Sequence, residues 1–351
     1  MDGDDRSTPT RRQVLASAAP AAAAFGGCLG LSAPTATVEQ RERTGLSASV
    51  DARVGFAGDA MLGRNVDERW RDADDPAGLW GPLATRLRAL DGFVLNLECC
   101  LSTRGERWPD KTYYFRGDPG WAVPALEAAG TTCVSLGNNH VLDFGAIEPA
   151  FVSAGPLDVA VIGLSERWQE YRAGEDEPGT AYLPLTLDSP ETRRTVTRLL
   201  DRVHEADLDL VVASLHWGPN WAEYPEPAHR EFGRWLVEQG VDVVHGHSAH
   251  VAQGVEVHLG RPIFYDTGDV VDDYSAKPEL RNDRSFLFVL ELADGRFDAV
   301  RLQPIEIDDE AVRPATDEAI PWLHETMASR CDPFDTTLEP DHEDLVIPLD
   351  G

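Results

Sequence analysis

Lysine is almost missing from this chain: among 351 residues only Lys111 and Lys277 are lysines, and the remaining basic residues are arginine, set against 61 Asp and Glu. The net charge of −30 runs through the whole sequence, which excludes a nucleic-acid partner, because no basic field is available to displace counterions from phosphates. An even acidic surface poor in lysine suits very high salt, where screening removes the self-repulsion that such charge causes in dilute buffer. An ordinary acidic protein is the alternative. Also absent is any C-x-x-C spacing. Cysteines 28, 99, 100, 133 and 331 form an odd set that indicates neither a zinc ribbon nor a disulfide framework. There is no internal repeat and no apolar run long enough to span a bilayer.

What is present begins with an address. Arg11-Arg12 followed by the short apolar run from Ala16 to Phe25 and by Gly26-Gly27-Cys28 reads as a twin-arginine export signal ending in a lipobox-like cysteine. A disordered alanine-rich leader is the competing reading. The expectation is residues 1–28 as signal with lipidation at Cys28, 29–51 as a flexible tether, 52–305 as the domain and 306–351 as an acidic extension with one helix and a loose tail. Asp2, Asp4 and Asp5 balance Arg6, Arg11 and Arg12, so the charge belongs to the exported part. The implied location is extracytoplasmic, with contact to the membrane through the lipid anchor only.

Beyond residue 50, strand-length apolar runs (52–57, 92–97, 131–136, 157–164, 208–215, 241–244, 262–265, 285–292 and 296–304) alternate with segments of helical period at 79–90, 121–129, 190–206 and 228–239. This order predicts an α/β fold with helices on the sheet faces and a hairpin around Ala293-Asp294-Gly295. Sites in such sheets collect at the carboxyl ends of strands. Here those ends carry Asp59, Asn96 and Glu98, Asn138-Asn139-His140 with Asp143, His216, and His245 through His250. Carboxylates and imidazoles with little sulfur suit Mn, Fe or Zn, and a pair of ions needs a bridging carboxylate, for which Asp59 or Glu98 serves. His140 followed by Asp143 suggests an imidazole oriented by a carboxylate, fit for a general acid. The competing readings are Asp59 as a helix cap and His216-Trp217 as a packed aromatic corner. Adjacent glycines at 58, 137, 218, 246 and 268 would let the backbone approach the ions.

At these residues the chain resembles the CapA family of capsule and poly-γ-glutamate biosynthesis proteins, grouped with the calcineurin-like metallophosphatases. Gly58-Asp59-Ala60-Met61-Leu62-Gly63-Arg64, Asn96-Leu97-Glu98, Gly137-Asn138-Asn139-His140, Leu215-His216-Trp217-Gly218, Gly246-His247 through His250, and Ile263 through Gly268 carry the likeness in order. The resemblance implies a four-layer α/β/β/α sandwich. It also implies Asp59, Glu98, Asn139, His216, His247 and His250 as ligands for divalent ions, two in number, and His140 with Asp143 as the catalytic pair. Departures are Ser248-Ala249 where the family has His-Pro, Asp269 where it has Asn, and a link of only eleven residues, 146–156, where it has a helix and a short strand. Either a peripheral βα unit is missing after residue 145 or the region is rearranged; eleven residues are marginal for a parallel crossover.

Three functional expectations follow: a metal-dependent hydrolase acting on a phosphoester or cell-surface polymer, a non-catalytic factor that binds or exports such a polymer, and a degenerate metal-free scaffold. An anionic polymer is repelled by this surface unless metals or a local cluster such as Arg64, Lys111, Arg116 and Arg281 intervene; Arg64 and Arg116 are the substrate-binding candidates.

Overall fold

The computed structural model describes residues 50–103, 114–139, 150–169, 172, 180–206 and 208–349. The predicted signal, Cys28, Lys111, His140 and Asp143 therefore lie outside the described residues. The chain runs through β1 (Ala52–Ala60), α1 (Arg64–Trp70), a 3₁₀ turn (Pro76–Trp80), α2 (Leu83–Leu87) and β2 (Gly92–Leu97). The short β3 (Cys100–Leu101) and β4 (Arg116–Gly117) come next, then α3 (Pro119–Ala128), β5 (Cys133–Ser135), β6 (Ala150–Ala154) and β7 (Leu157–Ser165). The second half holds α4 (Pro190–His204), β8 (Leu210–His216), α5 (Pro227–Glu238), β9 (Val243–His247), β10 (Val255–His258), β11 (Arg261–Phe264) and β12 (Asp269–Val271). It closes with β13 (Arg284–Ala293), β14 (Arg296–Asp308), β15 (Ala311–Pro314), α6 (Ile320–Cys331), β16 (Glu339–Asp341) and β17 (Asp344–Pro348).

Two large sheets result. One is ordered β16-β17-β14-β13-β1-β2-β5, with β12 also on β1 and β15 on β14; the other is β10-β11-β9-β8-β7-β6. Successive strand side chains point to opposite faces, and the apolar positions divide accordingly. Val54 and Phe56 of β1, Phe286 and Phe288 of β13, Val159 and Val161 of β7 and Val212 of β8 share the core between the sheets. Phe93, Leu95, Leu287 and Val289 face the other way onto Val66, Trp80, Leu83 and Trp121 of the first helical layer. Ala160, Ile162, Val211 and Leu215 meet Val196, Leu199, Phe232 and Leu236 of α4 and α5. Three cores separate four layers, the expected α/β/β/α order. Helix starts follow local chemistry: the side chains of Ser189 and Asp118 accept from the N–H groups of Thr192 and Gly120, with a proline at the first helical position of α4 and α3.

Several expectations change. The helical period over 79–90 is broken at Gly81, which takes φ +45°, and Pro82, so a 3₁₀ turn and the five-residue α2 replace one helix. The 146–156 link is no crossover: β6 falls within it and pairs antiparallel with β7, while β5 closes the edge of the other sheet beside β2. The chain thus changes sheets here, and a hairpin at Gly155-Pro156 needs no helix. Residues 306–349 complete the first sheet and are no loose tail. β14 continues to Asp308, β15 and β17 both pair with it, and Leu345 and Ile347 reach the inter-sheet core. The last tether residues dock as well, with Gly295 N–H donating to Val50 O and Asp294 N–H to Asp51 Oδ1, both at 3.0 Å. The hairpin at Asp294-Gly295 is as predicted, both residues having positive φ, as a two-residue Asp-Gly turn requires. Cys99, Cys100, Cys133 and Cys331 form no disulfide with one another. Among the described residues no helix is long and apolar enough to cross a membrane.

Candidate metal centre

Strand register decides which side chains meet. Parallel pairing of β1 with β2 sets Asp59 opposite Asn96, and of β1 with β12 sets Asp59 opposite Asp269. In the second sheet, β8 against β9 sets His216 opposite His247 and Ser214 opposite His245. Opposed residues on neighbouring strands project to the same face. The carboxyl ends of both sheets converge, so Asp59 Oδ1 of one lies 3.5 Å from His247 Nδ1 of the other. His250, on the turn after β9, reaches to 3.2 Å from Asp59 Oδ2 and 2.9 Å from Asp269 Oδ1. His216 Nδ1 stands 3.2 Å from His247 Nδ1 and 3.8 Å from Glu98 Oε2.

Close backbone approach makes this convergence feasible. A Cβ on Gly58 would fall 1.7 Å from Gly268 O, the carbonyl that accepts from Asp59 N–H at 3.0 Å. The clearance at Gly58 serves a neighbouring chain segment, a different purpose from the approach to ions expected of it. Asp266 pins the turn by accepting from Ala249 N–H at 2.6 Å and Gly268 N–H at 2.8 Å. Arg64, Trp221, Ser248 and His250 all take positive φ; such backbone strain in side-chain-bearing residues concentrates at functional sites.

Asp59, Glu98, His216, His247 and His250 are all at most 3% exposed, which isolates their charges from water. Burial opposes ionisation of Asp59, but the closeness and charge of His250 outweigh it and hold the carboxyl below the usual range. Burial together with the Asp59 charge pushes Glu98 well up. Burial drives His247 down to about 3, so it is neutral with a lone pair to donate. For His250 burial works the other way from Asp269 and Asp59, and the carboxylates prevail, raising it well above the ordinary value.

The residues fit a divalent ion. Asp59 Oδ2 is buried without a hydrogen bond of its own, and two imidazole Nδ1 atoms point at one another and at carboxylates. Two sets, Asp59-His216-His247 and Asp59-Glu98-His250, each bring their ligand atoms within 4.8 Å of one another. Asp59 belongs to both, the arrangement a bridging carboxylate needs, and the oxygen and nitrogen donors suit Mn, Fe or Zn.

The five predicted acidic and histidine ligands within the described residues therefore come together. Asn139 is half-buried, whereas its neighbour Asn138 is fully buried and donates to Asn96 Oδ1 and Leu97 O, each at 2.9 Å. Asp59 caps no helix, since α1 starts after Gly63. His216-Trp217 is both things at once, because strand alternation sends His216 to the junction and Trp217 into the helical side, where it donates to Tyr265 O at 2.7 Å. His245 does not replace the histidine absent at Ser248; its Nε2 contacts Ala57 O at 3.0 Å and its Nδ1 Ser214 Oγ at 3.3 Å. Arg64 is committed to Asp273 at 2.9 Å, Arg281 forks onto Asp283, and Arg116 is exposed on β4.

Asn96, noted at its strand end but given no role of its own, donates its Nδ2 to Asp59 Oδ1 at 2.7 Å and Glu98 Oε2 at 3.1 Å. Its place directly opposite Asp59 in the β1–β2 register gives it this role. Asp269 was noticed only as a departure. Trp221 and Tyr274, whose rings lie 5.1 Å from that of His250, gave no sequence signal.

The family described as bacterial capsule synthesis protein PGA_cap matches residues 53–148 and 146–274. A Mycobacterium tuberculosis protein named probable polyglutamine synthesis accessory protein is 28% identical over 82% of this chain and 83% of its own length. The capsule biosynthesis protein CapA of Bacillus anthracis is 24% identical over 55% of this chain and 52% of its own. For the PGA biosynthesis protein CapA of Bacillus subtilis the identity is 24% over 63% of each. Among solved structures the Haemophilus influenzae NAD nucleotidase NadN aligns over 82% of this chain and 56% of that one, with 9% identity and a TM-score of 0.30. With the family match spanning more than half of its length and the six motifs in order, the chain belongs to the CapA-type bacterial capsule synthesis (PGA_cap) family.

Proposed function

We propose that this protein is an exported, metal-dependent hydrolase of the CapA type that acts on a phosphoester or related bond in cell-surface polymer metabolism, with poly-γ-glutamate as the polymer. The observation that carries this reading is the pair of buried ligand sets sharing Asp59 where the two sheets meet. Divalent ions held there supply Lewis-acid polarisation and a lowered pKa for water. Asp59 would bridge, with His216 and His247 on one side and Glu98 and His250 on the other; Asn139, by its motif, would add a neutral oxygen. Asn96 fixes both carboxylates through its amide. His140, oriented by Asp143, would protonate the leaving oxygen. Export through the twin arginines, anchoring at Cys28 and a working medium of high salt complete the proposal, and the charge of −30 argues against a nucleic-acid partner.

A second reading, a non-catalytic polymer-binding or export factor, is favoured by the word accessory in the name of the mycobacterial relatives. Metal analysis of protein purified in high salt, together with turnover of a chromogenic phosphodiester, separates the two. The hydrolase reading expects bound Mn, Fe or Zn and a rate lost in His247→Ala. Metal without turnover would favour the accessory role, and protein that takes up no divalent ion would remove the metal from both. Mass spectrometry of the mature N-terminus tests the anchor: an intact, unmodified Met1 in membrane fractions would refute it.

A further inference from the structure

One of the two lysines in this acidic chain stands at the edge of the metal centre. Lys277 Nζ lies 4.5 Å from the centroid of the Trp221 ring, and that ring packs against His250 at 5.1 Å and Tyr274 at 5.5 Å. The ammonium is thus one indole away from a candidate ligand. The aromatic wall is held in place: Trp221 N–H donates to Ala249 O at 2.8 Å, on the same turn that carries His250. The lysine backbone is anchored too, its N–H donating to Asn282 Oδ1 at 2.7 Å and its carbonyl accepting from Arg281 N–H at 2.7 Å.

Arg64, Arg281, Arg284, Arg301 and Arg330 all pair with carboxylates. No carboxylate among the described residues pairs with Lys277, although the chain has 61 acids. An ammonium resting on an aromatic face is attracted to the ring and keeps its N–H donors for another partner. Half-burial against the indole also shields its charge from salt better than full exposure would. Of the nearby arginines, Arg64 and Arg281 already hold Asp273 and Asp283.

We propose that Lys277, standing on Trp221, is a specificity-determining residue that binds an oxyanion of the substrate, carboxylate or phosphate, next to the group presented at the metal centre. The assignment rests on the preceding reading that the centre acts on an anionic substrate. It answers how a chain of charge −30 admits such a substrate: a local cation that no described carboxylate neutralises offsets the repulsive field at the point of entry.

The test exploits the scarcity of lysine. Reductive ¹³C-methylation keeps the charge and labels just two side chains, with Lys111→Arg assigning the signals. Protein loaded with diamagnetic zinc, in high salt, is titrated with tri-γ-glutamate and, separately, with inorganic phosphate. The Lys277 methyl signal is expected to shift saturably with at least one probe, and the probe that moves it distinguishes a polymer carboxylate from a phosphoryl group. Calorimetry then expects Lys277→Gln to weaken that probe about ten- to a hundredfold, the range for a hydrogen bond to a charged group, with Lys277→Arg recovering much of the loss and zinc content unchanged. A Lys277 signal that neither probe moves, or equal affinities in wild type and Lys277→Gln, would overturn the proposal. Failure of the metal reading shows separately, as zinc that does not bind.

Discussion

Asn96 is the residue on which the metal-free centre most depends, so Asn96→Ala is the sharpest perturbation. Its amide nitrogen donates to two fully buried carboxylates at 2.7 and 3.1 Å and its oxygen accepts from Asn138 at 2.9 Å. Hydrogen bonds to charged groups contribute about 1.5–3 kcal/mol each, so losing both removes roughly 3–6 kcal/mol, with the stranded Asn138 donor adding to the loss. At about 2 °C per kcal/mol for a chain of this length, the melting temperature falls by roughly 6–12 °C. The assay is thermal melting in one fixed molar salt, first with chelator and then with excess Mn²⁺. In chelator the full loss is expected. With manganese much of it returns, because an ion neutralises Asp59 and Glu98 in place of the amide. Asn96→Asp sharpens the contrast: a further carboxylate makes the chelated protein less stable still and the manganese rescue larger. An Asn96→Ala protein that melts in chelator within about 1 kcal/mol of wild type would refute the claim that the amide clamps two buried charges.

Three further outcomes follow from single contacts. A methyl on Gly246 would lie 2.1 Å from Tyr265 O and 2.6 Å from Trp217 Nε1, so Gly246→Ala should lower the urea midpoint by the equivalent of about 1–3 kcal/mol and weaken manganese binding at the adjacent His247; an unchanged midpoint would show that β9 can shift freely. Arg301 joins Glu291 at 2.9 Å to Asp341 at 2.8 Å and Asp344 at 3.4 Å, and Arg301→Ala should cost only about 1 kcal/mol globally while speeding amide exchange in β17 and leaving β1 protected, whereas uniform acceleration would contradict a local role. Burial alone would raise the Asp283 carboxyl, but the Arg281 fork outweighs it and leaves the folded value below the ordinary one, so this stabilisation is present above an unfolded value of about 3.9 and is lost as pH falls through the lower folded value; Asp283→Asn should therefore flatten the acid limb of the stability curve, and parallel limbs would disprove it.

The strands that read most clearly in the sequence were those buried on both faces, where β-branched and aromatic runs such as Phe286 through Leu292 leave little choice of structure. The short β6, β12 and β16 escaped because three to five residues carry no period, and β17 because its partner, β14, is 43 or more residues away in sequence. Asp59, Glu98, His216, His247 and His250 were legible because each ends an apolar run in a residue that is expensive to bury alone. The clamping role of Asn96 and the place of Lys277 were not. An asparagine inside a strand and a lysine in a loop acquire meaning only from what the register and the turns set beside them, here a carboxylate pair and an indole.

The changeover between sheets also has a consequence for assembly. His216 and His247 lie together only if β8 and β9 are in register, and Asp59 and Asn96 only if β1 and β2 are; a slip of one residue in either would turn its half of the ligand set to the opposite face. An ion that needs Asp59 from one sheet and His247 from the other binds tightly only when both are correctly threaded. Metal uptake would then act as an inspection step, stabilising the properly threaded chain and leaving mispaired forms to unfold.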